Sequence, residues 1–196
     1  SLEQGVYEAI LGNVSLKDIV QPTSHESLKI APATTALAGL NIELVNLERR
    51  EYKLREAILE IRNDYDFILI DSGGSLTPMN VNALMAATDI LVPTTVEHFA
   101  IKSIELLFTQ VARVKGNATA IRMIIPTMYD PRVRQAGELL SGLHERYGKL
   151  VAPPVRVNVR LSESPAHGRT IYEYDPRSRG AADYAMLVEH ISAMFD

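Results

Sequence analysis

Cysteine is absent from the 196 residues, which excludes disulfides and thiolate metal sites. A reducing cytoplasm is compatible with that composition. No apolar run approaches the ~18 residues a membrane span needs, and no signal-peptide pattern opens the sequence. Neither G-x-x-x-x-G-K-[ST] nor G-x-G-x-x-G occurs; Gly148-Lys149 is followed by Leu150 and has no upstream glycine in register. H-E-x-x-H and G-x-S-x-G are missing as well, so Ser72 and Ser75 are not nucleophile-elbow serines. The five histidines (25, 98, 144, 167 and 190) have no zinc spacing, and His98 beside Glu97 reads as a helix-start residue. With a net charge of −4, the chain as a whole is no electrostatic nucleic-acid binder.

What is present is a soluble-type composition, 46% apolar and 22% charged, long enough for one domain with a full core. Helix-like and strand-like segments alternate, without repeats or linkers, which predicts an α/β fold with a mainly parallel sheet. Helices are expected at residues 2–11 (stopped by Gly12), 35–45, 52–62, 78–87, 100–114, 133–147 and 180–194. Strands are expected at residues 28–31, 67–70, 90–92, 120–125 and 155–157. No strand precedes residue 28, whereas a doubly wound sheet usually begins with its central strand and a phosphate loop.

The stretch Phe67-Ile-Leu-Ile-Asp71-Ser-Gly-Gly reads as a strand covered on both faces that ends on a carboxylate, with a flexible loop beyond. An Asp at the C-terminal end of a buried parallel strand sits where α/β proteins bind ligands, and it suits a water on Mg²⁺. The same pattern also describes a turn or capping Asp.

Charge is uneven. From Arg132 to Arg179 there are nine Arg or Lys against five Asp or Glu, so a local basic face is expected in the C-terminal third. Within it, Asn158 to Ala181 is too rich in Arg, Ser, Gly and Pro for an ordinary amphipathic helix. Ser162 is a candidate cap, with Pro165 three residues on; Asp175-Pro176 marks a turn, and Gly180 lies just before the last helix. Arg160, Arg169, Arg177 and Arg179 suit phosphate contacts; equally, they suit a solvated loop paired to Glu163, Glu173 and Asp175.

At these residues the sequence resembles the ParA/Soj family of partition ATPases, relatives of the MinD-type deviant Walker proteins. The resemblance rests on APATTALAGLNIELV, DYDFILID, NALMAATDILVPTTVEHFAIKS, TMYDPR and NVRLSESPAHGRTIYEYDPRSRGA, in the family's order and over essentially the whole chain. It implies a three-layer, P-loop-NTPase-like fold, with residues 1–196 as a single ParA-like domain truncated at its N-terminus. It implies ATP and Mg²⁺ as cofactors, with Asp71 as the Walker B Asp acting on Mg²⁺ through water and Thr127 near the adenine base. Arg132 and Arg160 match positions used for sequence-independent binding of double-stranded DNA. The implied setting is cytoplasmic and nucleoid-associated, without membrane. The implied partners are a ParB-like protein or a full-length ParA, and a second copy in a homodimer.

The departures are specific. The family's first strand, its deviant Walker A loop with two lysines and its second strand have no counterpart here; residue 1 aligns just after them. The family's D-x-P-P-S-L-G reads Asp71-Ser-Gly73-Gly74-Ser-Leu-Thr77, which loosens the switch loop. The proline that packs on the base is Arg156. The expectation is therefore a partitioning protein that keeps DNA binding or dimerisation without ATP hydrolysis. The alternatives are a fragment of an active ATPase and half of a composite site. A missing central strand would expose strand edges and apolar surface, so a homodimer or a rearranged sheet is expected to cover the gap.

Overall fold

The structure, a computed structural model, describes residues 4–97 and 99–195. The chain forms two compact units: residues up to Thr88 with Gln110–Asn117, and Asp89–Thr109 with Ala118 onward.

The first unit is helical. It holds α1 (Val6–Ile10), α2 (Leu16–Ile19), α3 (Leu40–Glu43), α4 (Lys53–Leu59) and α5 (Pro78–Ala86), with a small antiparallel pair β1 (Gln21–Pro22) and β2 (Lys29–Ile30). Gly12 adopts φ +79° after α1, as its stop requires. Two clusters form the core: Ala9, Leu16, Ile19, Ala57 and Ile61 in one, and Ile10, Leu40, Leu44, Leu54 and Ala83 in the other. The helix expected over 35–45 divides into a 3₁₀ stretch (Thr35–Gly39), α3, and a second 3₁₀ turn (Leu44–Asn46). Only Leu40 and Leu44 of this stretch are fully buried, so one turn of apolar face is what packing secures.

Asn82 ties this unit together. Its Oδ1 accepts from the Leu54 N–H at 3.1 Å, and its Nδ2 donates to the carbonyls of Arg50 (2.7 Å) and Pro78 (3.0 Å). The buried amide thus sets α4 and the turn before it against α5. At the other end of α5, Lys115 Nζ donates to the carbonyls of Leu84 and Ala87 at 2.9 and 2.8 Å, satisfying carbonyls that the helix leaves open.

The second unit carries the parallel pair β3 (Ile90–Thr95) and β4 (Ile121–Thr127), in register from Leu91↔Met123 to Thr95↔Thr127. Around it are α6 (Ala100–Lys115, whose last six residues belong to the first unit), α7 (Arg134–Tyr147), α8 (Val159–Glu163), α9 (Ile171–Tyr174) and α10 (Arg179–Ser192). Met123 and Ile125 of β4 pack with Ala152, Val155 and Leu187. Both strands run through the prolines expected to end them: Pro93 pairs with Ile125, and the Pro126 carbonyl accepts from Val155 N at 2.8 Å. The strand expected at 155–157 is a broken one. Ile124 and Val151 pair, as do Tyr129 and Arg156, and Pro153 and Pro154 between them have no N–H to continue the ladder.

Two local expectations need correction. Asn158, not Ser162, caps α8, its Oδ1 accepting from Arg160 N at 2.8 Å; the Ser162 hydroxyl instead donates to the Val159 carbonyl. Glu173 forms a capping box with Thr170 at the start of α9. Gly180 lies inside the first turn of α10, where a Cβ would come 2.7 Å from Leu161 Cγ, so only glycine lets α8 approach.

Candidate functional site

Phe67–Ile70, expected as a strand covered on both faces, pairs with no strand among the described residues. Ile70 packs onto the first unit's core, but Phe67 is 58% exposed and Leu69 86%. A run of four apolar residues acquires ladder bonds and cover only when neighbours lie beside it. Here one face rests on the unit and the other meets solvent.

Asp71, at the end of this segment, is exposed, and no group of three or more His, Cys, Asp or Glu able to hold a metal occurs among the described residues. The loop beyond it folds back on the start of α5. The Thr77 hydroxyl caps the helix by accepting from Asn80 N at 3.2 Å, and Asn80 Nδ2 donates to the Ser75 carbonyl at 2.7 Å. Gly73 comes so near that a Cβ there would lie 3.1 Å from Asn80 Nδ2. The helix start is closed to anions. Pro78 has no N–H, Met79 N donates to Asn41 Oδ1, Asn80 N to Thr77 Oγ1, and Val81 N to the Thr77 carbonyl. Beside Asp71, the start of α5 does not fit a triphosphate, because its first N–H groups are already bonded within the chain.

In the second unit, Thr127, Arg132 and Arg160 come to one end. Thr127 closes β4, and its hydroxyl donates to the Thr94 carbonyl at 3.2 Å. Met128 follows in the left-handed region, φ 53°, 70% exposed; such a conformation in a non-glycine residue marks local strain. Tyr129 N then donates to the Val155 carbonyl, and Val157 N to the Tyr129 carbonyl, at 3.1 and 3.0 Å. Arg132 lies three residues past Tyr129 and Arg160 three past Val157, so each arginine follows the end of one of two parallel-paired segments.

Neither arginine is bare. Arg132 donates through Nε and Nη2 to the two oxygens of Asp130, at 2.9 and 2.7 Å, and its backbone N–H donates to Oδ1 at 3.0 Å. Those bonds from Arg132 hold the Asp130 carboxyl at about 2, well below its ordinary value. Arg160 Nη1 lies 2.8 Å from Glu163 Oε2 and its Nε 3.5 Å from Asp175 Oδ2. The Tyr174 hydroxyl donates to the same Glu163 oxygen at 3.1 Å and stacks its ring on His167. The Arg160 bond, and then the Tyr174 bond, lower the Glu163 carboxyl.

Arg156 points elsewhere. Its backbone N, Nε and Nη2 all reach Asp183 of α10, at 3.0, 3.0 and 2.5 Å. Sequence reasoning missed the partners Asp130 and Asp183 and the amides of Asn80 and Asn82. The Asp-x-Arg spacing of Asp130 and Arg132 is an Asx-turn signature that was available; nothing local announced the others. His98 lies outside the described residues. No helix of the described residues is long and apolar enough to cross a membrane.

An AAA-domain family matches residues 1–123. The chain is 35% identical over 196 residues to the sporulation initiation inhibitor protein Soj of Bacillus subtilis, covering 98% of this chain and 78% of that protein. It is 36% identical over 186 residues to the chromosome partitioning protein ParA of Myxococcus xanthus, covering 93% and 66%. Among solved structures, a Mycobacterium smegmatis cobyrinic acid a,c-diamide synthase with bound ADP and magnesium superposes with TM-score 0.75 at 28% identity, over 94% of this chain and 69% of that one. A Borrelia burgdorferi plasmid partition protein bound to AMPPNP gives TM-score 0.83 at 20% identity, over 97% and 74%, a likeness of fold alone. The fold is thus the α/β, P-loop-NTPase-like one that the sequence led us to expect, and the chain belongs to the ParA/Soj family of partition ATPases.

Proposed function

We propose that this chain is a partition-type module that binds double-stranded DNA without sequence preference and does not itself turn over ATP. The observation that supports the reading is the parallel pairing at Tyr129 and Arg156 of the two segments that Arg132 and Arg160 follow within four residues. Phosphate contacts of this kind position a protein on DNA without reading bases. Their strength falls steeply with salt. The module acts in the cytoplasm, at the nucleoid, with a ParB-like partner or a full-length ParA, as one ParA-like domain that pairs with a second copy. Asp71 keeps the Walker B role in outline, with Thr127 at the nucleotide end of β4, and ATP and Mg²⁺ bind weakly or not at all to this chain alone.

The test is fluorescence anisotropy with a random-sequence duplex at low salt. Binding that weakens as salt rises, and that Arg132→Ala and Arg160→Ala each reduce, is the expected result; no binding, or binding indifferent to both changes, refutes the reading.

A second reading is favoured by the exposed apolar face at Phe67 and Leu69: that the chain is part of an active partition ATPase, whose phosphate loop and strands upstream cover that face. An in-frame deviant Walker A loop in the upstream coding sequence is the observation that decides for it.

A further inference from the structure

The two arginines assigned to phosphate stand in unlike company. Asp130 takes both the Nε and Nη2 donors of Arg132, while the Arg132 side chain is 85% exposed and that of Asp130 only 23%. The carboxylate is further pinned by the backbone N–H of Arg132. Glu163 faces Arg160 at 2.8 Å while the Tyr174 hydroxyl holds the same oxygen, and Asp175 stands 3.5 Å away. In both places the carboxylate is fixed by a second bond and the arginine is the more exposed member of the pair, 53% against 39% for Arg160 and Glu163. Counted as charges, Arg132 with Asp130 is neutral, and Arg160 with Glu163 and Asp175 is negative by one.

We propose that Asp130 and Glu163 are built-in competitors of phosphate for Arg132 and Arg160, and that these two carboxylates set how tightly this end of the second unit holds duplex DNA. The inference rests on the DNA-binding reading above. A guanidinium already forked onto a carboxylate exchanges one charge-assisted pair for another when phosphate arrives. It therefore adds little to the release of counterions that drives such binding. The opposite role is an orienting one, in which the carboxylates aim the arginines outward, and it predicts the opposite sign.

Asp130→Asn keeps the Oδ1 acceptor for the Arg132 N–H and loses the charge and the Oδ2 acceptor of Arg132 Nη2; Glu163→Gln keeps an acceptor for Tyr174. Glu145→Gln, on the exposed surface of α7, makes the same change in net charge away from both pairs. Anisotropy with a random duplex is measured across salt for the wild type and the three variants. The expected result is tightening of about 3–10-fold for Asp130→Asn and for Glu163→Gln, each with a salt slope steeper by about one, and less than about 2-fold for Glu145→Gln. Tightening no greater than that of Glu145→Gln, or weakening, overturns the proposal while the DNA-binding reading stands. If neither the wild type nor any variant binds at low salt, the DNA-binding reading itself fails and takes the proposal with it.

Discussion

Arg156 and Asp183 form a forked ion pair, Nε to Oδ2 at 3.0 Å and Nη2 to Oδ1 at 2.5 Å, that ties the segment beside β4 to the helix α10. The pair is lopsided: the Asp183 side chain is 7% exposed and that of Arg156 40%. Burial raises the Asp183 carboxyl, but the side-chain and backbone hydrogen bonds from Arg156 together outweigh it and bring it below the ordinary value. Where the resembling family has a proline against the base, this chain has an arginine committed to its own last helix.

That balance fixes a pH dependence. A carboxyl lowered by folding contributes stability above its unfolded value, near 3.8, and loses it as pH falls through the folded value. Arg156→Ala removes the guanidinium bonds and keeps only the backbone N–H bond and the more distant Arg179 against burial, so the carboxyl rises from its lowered value. The expected loss at pH 7 is about 1–3 kcal/mol, discounted for the exposure of Arg156, and it shrinks as pH falls below about 4. Urea unfolding at pH 7 and pH 3 checks this; an equal loss at both would show that the pair carries no linked proton.

Asn82→Ala is expected to be the more damaging change in the first unit. It strands the Leu54 N–H and the carbonyls of Arg50 and Pro78, all served by one amide 1% exposed. A loss of about 2–4 kcal/mol follows from unsatisfied buried groups and the space left behind, read as a drop in Tm. A Tm within a degree or two of wild type would show that water replaces the amide freely.

Leu69, 86% exposed on an apolar segment, invites association. Leu69→Lys is expected to leave stability within about 0.5 kcal/mol and to lower the apparent mass seen by light scattering at micromolar concentration. A wild-type chain that is already monomeric there would remove the case for a dimer covering this face.

Much of the fold was legible because periodicity and burial agree locally. Ile104 and Val111, a heptad apart and 1% and 0% exposed, mark α6, and the continuous apolar run of β4 reads as a covered strand. Phe67–Ile70 gave the same apolar signal and yet lies half in solvent, because cover is a property of neighbours and not of the run itself. The arginines proposed to contact DNA, Arg132 and Arg160, were named from the resembling motifs. Glu163 and Asp175 were weighed as partners of the loop's arginines and pair with Arg160; Asp130, two residues from Arg132, was not weighed. Asp183, twenty-seven residues from Arg156, lies beyond any local pattern.

The central claim is that Asp71 has no phosphate grip to work with inside this chain. Calorimetric titration with ATP, with and without Mg²⁺, tests it most directly. The account predicts no saturable heat up to about 1 mM ligand, an affinity weaker than about −4 kcal/mol, and no difference on adding Mg²⁺. Saturable binding in the micromolar range that requires Mg²⁺ and disappears in Asp71→Ala would contradict it.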